Sequence, residues 1–373
     1  MEPFKNELSF PNACRIAKAL KRAEPRFSIP RFSKLLDVEL QPLELKQRVK
    51  LIAQRIAVQL PPSPAEMFPV LVKALAVDPD DKHGLRGFLV WPLTEIVATH
   101  GLADFEASMA ALSEMTSRFT GEFAIRPFLL HDSKRTLKRL HDWCAHPDPH
   151  VRRLVSEGSR PLLPWGGNLP HLLSPPHPTL DLLEKLYQDP SDYVRLSVSN
   201  HLNDFSKHHP ALVIGILKRW TSLHPDDPAL QKLARHACRT LLKAGDPGAL
   251  ELHGYGSAKA LELTGFQLSE SLVKLGDSLG YRLLVRNTSS HPVKVMFDYA
   301  LFHRKANGSL APKVFKGRNR ILPAGEVWEI TGRHPLKPVT TRVYHPGIHR
   351  FEPRLNGKPF PMLEFVLDMA PSH

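Results

Sequence analysis

Two stretches of the 373-residue chain are imperfect copies of each other. "HPDPHVRRLVSEG" from His146 aligns with "DPSDYVRLSVSNH" from Asp189 at an offset of 43 residues. Pro147 then matches Pro190, Val151 matches Val194, Arg152 matches Arg195, Val155 matches Val198 and Ser156 matches Ser199. A weaker third copy, "LARHACRTLLKAGDP", puts Arg235 in the arginine position. One helix pair of this length cannot bury its own apolar stripe, so the copies must stack. Stacked helix pairs make a curved solenoid with a concave binding face.

The rest of the first 250 or so residues fits this frame. Apolar residues recur at helical spacing, as in "LKQRVKLIAQRIAVQL". Asp-Pro and Pro-Asp pairs punctuate the pattern at Asp78-Pro79, Pro147-Asp148-Pro149, Asp189-Pro190 and Asp246-Pro247. Proline ends one helix and Asp caps the next, so these are joints between helices. A period near 40 with helix pairs is the signature of HEAT-like repeats.

Beyond "HGYGSAKA" the pattern turns to strands: "GYRLLVRNTS", "VKVMFDYALFHR", "EVWEITG" and "FPMLEFVLDM". "KANGSLAP" and "LNGKP" carry the Asn-Gly hairpin signal. The expected architecture is therefore an all-α HEAT-like repeat domain over residues 1–255, followed by an all-β immunoglobulin-like sandwich over residues 258–373.

Charge narrows the partner. The chain is formally +13 at pH 7, which favours a polyanion such as nucleic acid. Residues 258–373 hold 17 Lys and Arg against 9 Asp and Glu. Between Asp298 and Glu326 lie six bases and no acid: Arg304, Lys305, Lys313, Lys316, Arg318 and Arg320. The run "APKVFKGRNR" reads as a basic loop that grips a phosphate backbone. The three cysteines (Cys14, Cys144, Cys238) are far apart and form no metal-ligand spacing, so they read as reduced thiols and no metal or cofactor is expected. "MEPFKNELSF" lacks an apolar signal core and no apolar run is long enough to span a bilayer. The expectation is a cytoplasmic monomer.

The helix that begins "HVRRLVSEG" has an odd polar face. At about 100° per residue, Val151, Leu154, Val155 and Gly158 form the buried stripe. Glu157 lies at its border, with Arg153 one turn before and Arg160 one turn after. In the aligned helix, Asp204 points to the same flank. Carboxylates on a wall that also carries Arg152, Arg153, Arg160 and Arg195 do not suit plain phosphate binding. A surface ion network is the other reading of Glu157 between two arginines. In "FTGEFAIRPFLL" Thr120 reads as an N-cap with Glu122 in the first helical turn, where an acid also complements the helix dipole. Arg126-Pro127 there echoes Arg160-Pro161. Trp165, between Pro164 and Gly166-Gly167, reads as an indole on a loop at the helix end.

"EFAIRPFLL", "HVRRLVSEGSRPLLPW" and "DYVRLSVSNHLND" resemble the AlkC branch of the bacterial alkylpurine DNA glycosylases, HEAT-like repeat enzymes related to the AlkD branch. The motifs lie in residues 120–206. The resemblance implies excision of cationic N3-methylated bases, chiefly 3-methyladenine and 3-methylcytosine, from duplex DNA, without swinging the lesion into a pocket. It also implies that Glu122, Glu157 and Asp204 face the lesion, with Trp165 beside it. Arg152, Arg153, Arg160 and Arg195, with Lys313, Lys316, Arg318 and Arg320, would hold phosphates. Asp204 departs from a tidy repeat, because Pro161 stands at its equivalent in the preceding copy.

The implied chemistry suits these residue types. A base methylated at N3 leaves as a neutral molecule, so no general acid is needed. The sugar gains positive charge, which a carboxylate stabilises while it holds the attacking water. An indole face attracts a cation by about 0.5–2 kcal/mol. No lysine stands out as a Schiff-base nucleophile, so strand cleavage is not expected. The alternative is a non-catalytic repeat scaffold that binds DNA or an acidic protein. An RNA-binding repeat protein would carry a stacking aromatic in each repeat, and the copy after Trp165 supplies none.

Overall fold

The computed structural model describes residues 3–76, 84–339 and 342–369. The Asp78-Pro79 joint lies outside them. The chain forms two compact units, Met1–His208 with Asp227–Ala237, and His209–Asp226 with Cys238–His373.

The first unit is helical. Helix Leu45–Ala57 packs on Trp91–His100, and Pro64–Lys73 packs on Phe105–Met115. Farther along, Pro149–Gly158 packs on Asp192–Ser206, which packs in turn on Pro228–Ala237. These three helices carry the self-similar copies, so the copies are neighbours, as a stack requires. Their shared positions explain why: Val151, Leu154 and Val155 are fully buried, as are Val194 and Val198. Asp148 caps the Pro149–Gly158 helix by accepting the His150 N–H at 2.7 Å, and Pro149 sits in the first turn, where its missing N–H costs nothing.

One local expectation fails here. Thr120 is not an N-cap and Glu122 is not in a helix. Residues 122–125 form turns, and the helix runs Arg126–His131 with Pro127 in its first turn. The Thr120 hydroxyl instead accepts the Glu122 N–H at 3.2 Å and donates to Glu122 Oε2 at 2.7 Å.

The second unit carries helices Pro210–Leu223, Arg239–Ala244 and Pro247–Leu252 before its strands. The strands are β1 Leu261–Leu268, β2 Leu272–Lys274, β3 Ser278–Asn287, β4 Val293–Arg304, β5 Leu310–Leu322, β6 Val327–Pro335, β7 Gly347–Leu355, β8 Lys358–Pro359 and β9 Leu363–Asp368. They form a sheet ordered β1-β3-β6 and a second ordered β2-β9-β7-β4-β5, with β8 beside β7. Pairing is antiparallel except between β2 and β9. One core joins the two sheets, with Leu283, Val285 and Ile330 from the first and Val295, Phe297, Phe351 and Phe365 from the second. The hairpin signals hold: Asn307-Gly308 turns β4 into β5, and Asn356 and Gly357 turn β7 into β8 with φ of 44° and 75°.

The run read as a basic loop is strand β5, paired with β4 and at the sheet edge. Its glycine, asparagine and charges weaken local strand preference, but the partner strand overrides it. A register shift between Met296 and Asp298 lets the Asp298 carboxylate accept the Gly317 N–H at 3.0 Å. Only glycine fits there, because a Cβ at position 317 would lie 2.4 Å from the Phe297 carbonyl oxygen.

Candidate active site

The three acids singled out in the sequence meet in one network on the first unit. Each comes from a different element: Glu122 from the turn before helix Arg126–His131, Glu157 from the last turn of Pro149–Gly158, and Asp204 from the last turn of Asp192–Ser206. Two arginines join them. Arg153 Nη1 lies 2.7 Å from Glu122 Oε2, and its Nη2 lies 3.6 Å from Glu157 Oε1. Arg160 donates to Glu157 Oε1 at 2.7 Å and holds Asp204 with two hydrogen bonds, of 2.9 and 3.2 Å. Lys207 closes the row, 3.5 Å from Asp204 Oδ1. Acid and base alternate, so no like charges are forced together.

The row is largely dry. Glu122, Glu157, Arg160 and Asp204 are all buried. Burial alone pushes the Glu157 carboxyl up. The charges of Arg153 and Arg160 and the hydrogen bonds from Ser197 and Arg160 together outweigh it, so Glu157 is held below the ordinary carboxylate value. Arg160 is likewise lowered by burial but raised further by Asp204 and Glu157. Removing one member of such a pair leaves a buried charge uncompensated.

Trp165 stands on a loop, as the flanking Pro164 and Gly166 imply. It is half exposed and takes a left-handed backbone, φ 64°. An unbranched aromatic residue holds that conformation only where its surroundings fix it. Lys46 donates to the Trp165 carbonyl, and Arg126 donates to the carbonyls of Gly158, Arg160 and Gly167, pinning both ends of the loop.

The arginines expected to meet phosphate are engaged with carboxylates instead. Besides Arg153 and Arg160, Arg152 forms a two-pronged pair with Asp189 at 2.6 and 3.0 Å and donates to the His146 and Pro147 carbonyls. Arg195 donates to the Asp189 carbonyl and to Asp192. Arg152 thus ties its own joint to the next, while Arg195 braces the joint it follows. Lys313, Lys316, Arg318 and Arg320, by contrast, are exposed on β5; Arg320 pairs with Glu326.

Sequence reading missed three residues of the site. Arg126, the loop clamp, was signalled only by its echo of Arg160. Ser197 donates to Glu157 Oε2 at 2.6 Å. It stands where the aligned copy has Leu154, and a hydroxyl in a buried apolar stripe is the signal that finds it. Tyr193 lies under Arg153, whose guanidinium carbon is 5.2 Å from the ring centre. Below them, His201 is buried between the Ser156 carbonyl at 2.9 Å and the Thr179 hydroxyl at 3.1 Å, and burial lowers its pKa to about 4. It is neutral and joins the two acid-bearing helices.

Among the described residues, no group of three or more His, Cys, Asp and Glu is placed to hold a metal ion, and no helix is long and apolar enough to cross a membrane. The three cysteines are free thiols.

Residues 262–369 match the family model described as the C-terminal Ig-like domain of the uncharacterised protein YhaZ. The Bacillus subtilis (strain 168) protein YhaZ is 38% identical over 347 residues, 93% of this chain and 94% of that protein. Pseudomonas fluorescens alkylpurine DNA glycosylase AlkC, solved bound to DNA containing an abasic site analog, superposes with a TM-score of 0.91 at 33% identity. That match covers 98% of this chain and 100% of the other. With a carboxylate row on helical repeats, an Ig-like sandwich and relatives aligned almost end to end, the chain belongs to the AlkC-like family of alkylpurine DNA glycosylases.

Proposed function

We propose that this chain is a monofunctional DNA glycosylase that hydrolyses the bond between deoxyribose and an N3-methylated base, 3-methyladenine or 3-methylcytosine, in duplex DNA. It acts as a cytoplasmic monomer, leaves an abasic site, and attacks the lesion without drawing it into a pocket. The observation that carries this reading is the gathering of Glu122, Glu157 and Asp204 in one arginine-linked row. Acid beside DNA phosphate is unfavourable unless a cation must form there.

The methylated base carries its positive charge into the reaction and departs neutral, so the protein supplies no proton. As the bond breaks, charge moves to the sugar, and the carboxylates stabilise it. Arg153 and Arg160 keep Glu157 ionised at neutral pH. Asp204 and Glu157 each have both oxygens engaged by side chains. Among the described residues, Glu122 Oε1 accepts no hydrogen bond, so Glu122 is the acid with a free acceptor for the attacking water. Trp165 offers its face to the cationic base, an attraction of about 0.5–2 kcal/mol. Lys313, Lys316, Arg318 and Arg320 grip phosphates without reading sequence.

The test is incubation of the protein with N3-methylated duplex DNA. The expected result is free methylated base and an abasic strand that breaks only on later alkali treatment. A non-catalytic scaffold would bind the duplex and release no base, and strand breakage without alkali would refute the monofunctional assignment.

A further inference from the structure

Beside the Trp165 loop, within the first unit, lies a cavity of about 300 Å³ that borders the proposed excision site at Trp165 but contains none of its three carboxylates. This is the lower end of the range for small-molecule sites, about 300–1,000 Å³. Trp91 and Phe123 line it and stack on each other, ring centres 4.9 Å apart and planes 18° apart. Trp91 is buried and also stacks on Phe119, so the partly exposed Phe123 is the ring of the pair open to a ligand. The Trp165 ring lines it too. Such flat aromatic surfaces take a planar heteroaromatic ring, because every nucleobase has a face to stack.

The charges lining the cavity favour an anion. Lys46 and Lys50, one turn apart on helix Leu45–Ala57, and Arg126 face a single carboxylate, Glu95. Lys50 is exposed and has no hydrogen-bond or ion-pair partner among the described residues. Arg126 is buried, and its Nε is a donor with no partner. An unmet donor of that kind costs free energy unless an acceptor arrives. Glu95, half-buried, can accept an exocyclic amino group of the kind adenine carries.

We propose that this cavity is a nucleotide subsite, in which the base stacks on the Phe123 and Trp165 surfaces, over the buried Trp91, and Lys46 and Lys50 hold the phosphate. The occupant is either a free nucleotide or one undamaged nucleotide of a bound strand. The subsite shares Trp165 with the glycosylase reading but is tested apart from it, because its test involves no damaged DNA and no base release.

The test titrates dAMP into the full chain and follows the indole N–H signals of its five tryptophans by NMR, with Trp165 assigned through Trp165→Phe. The expected result is a saturable shift of Trp165 and Trp91 with Trp328, on the second unit, unmoved. Deoxyadenosine, without the phosphate, binds at least tenfold more weakly, and so does dAMP to Lys50→Glu. An absence of shift, or equal dAMP affinity in Lys50→Glu, overturns the proposal. Inorganic phosphate that shifts the same signals as strongly as dAMP overturns the stacking half of it. Saturation with undamaged duplex then separates the sources: a duplex that abolishes the dAMP shift assigns the subsite to a nucleotide of the strand, and one that leaves it intact assigns it to a free nucleotide.

Discussion

In the first unit, Glu122, Arg153, Glu157, Arg160 and Asp204 are packed together, each charge against its opposite. On β5 of the second unit, Lys313 and Lys316 stand exposed with no ion pair among the described residues. Both regions contain arginine or lysine in number, and sequence reading assigned both the same task of holding phosphate. Their surroundings separate them. A buried, paired guanidinium fixes the position and ionisation of a neighbouring carboxylate. An exposed lysine remains available to a polyanion, and its effect is screened by salt. A net charge of +13 therefore says that the chain favours an anion, but burial and pairing say which bases are free to meet it.

The sharpest way to break this contrast is to remove a base from each region. Arg160→Met leaves Glu157 and Asp204 buried without their main partner and should cost about 3–5 kcal/mol in chemical denaturation. Arg320→Ala removes an exposed pair with Glu326 and should cost about 0–1 kcal/mol. Equal losses would remove the distinction.

Acid should separate the units next. In the second unit burial lowers the pKa of His303 to about 3 and of His334 to about 4, against an ordinary 6.5, and lowers that of His349. Among the described residues of the first unit, burial does the same to His201, lowering it to about 4. Each of these histidines is neutral when folded, while the unfolded chain takes up a proton below about pH 6.5. Stability therefore falls as pH drops from 6.5 toward the folded values. Glu157 acts at lower pH: its depressed pKa stabilises the fold above the ordinary carboxylate value, and that contribution is lost as pH falls through the folded value. Going from pH 7 to pH 5 should lower the melting point of the second unit by roughly 5–10 °C and the first by less. Hydrogen exchange read peptide by peptide checks the order. Earlier opening of the first unit would contradict it.

The smallest effect on stability should come from neutralising Lys313, Lys316, Arg318 and Arg320 together. Melting should shift little, while undamaged duplex binds more weakly and the slope of log affinity against log salt flattens by about 0.9 for each phosphate no longer neutralised. An unchanged slope would take β5 off the DNA-binding surface.

Much of the fold was legible because its signals are local. The repeat shows in residues 43 apart, and β4 runs from Val293 to Arg304, the bounds of the β-type run "VKVMFDYALFHR". The Glu157 network was largely legible, since Arg153 and Arg160 are helical neighbours and the aligned copy put Asp204 on the same flank, but Ser197 joins it only through packing of the next helix. Asp189 collects Arg152 and Arg195 across a joint, which no periodicity records. Strand β7 was not read at all. It contains Pro353, tolerated because β9 pairs with β7 only from Gly347 to Phe351, so the missing N–H lies past the end of that partner. Thr120 was given to a helix because a cap and a hydroxyl turn use the same residue types.

The most direct test compares single-turnover release of 3-methyladenine from N3-methylated duplex by wild type, Glu157→Gln and Asp204→Asn, with duplex affinity measured alongside. The account predicts that both substitutions cut release by about 10²–10³ while affinity for undamaged duplex stays within a few-fold. Variants that release base as fast as wild type would show that the row of carboxylates is structural and that the chemistry lies elsewhere.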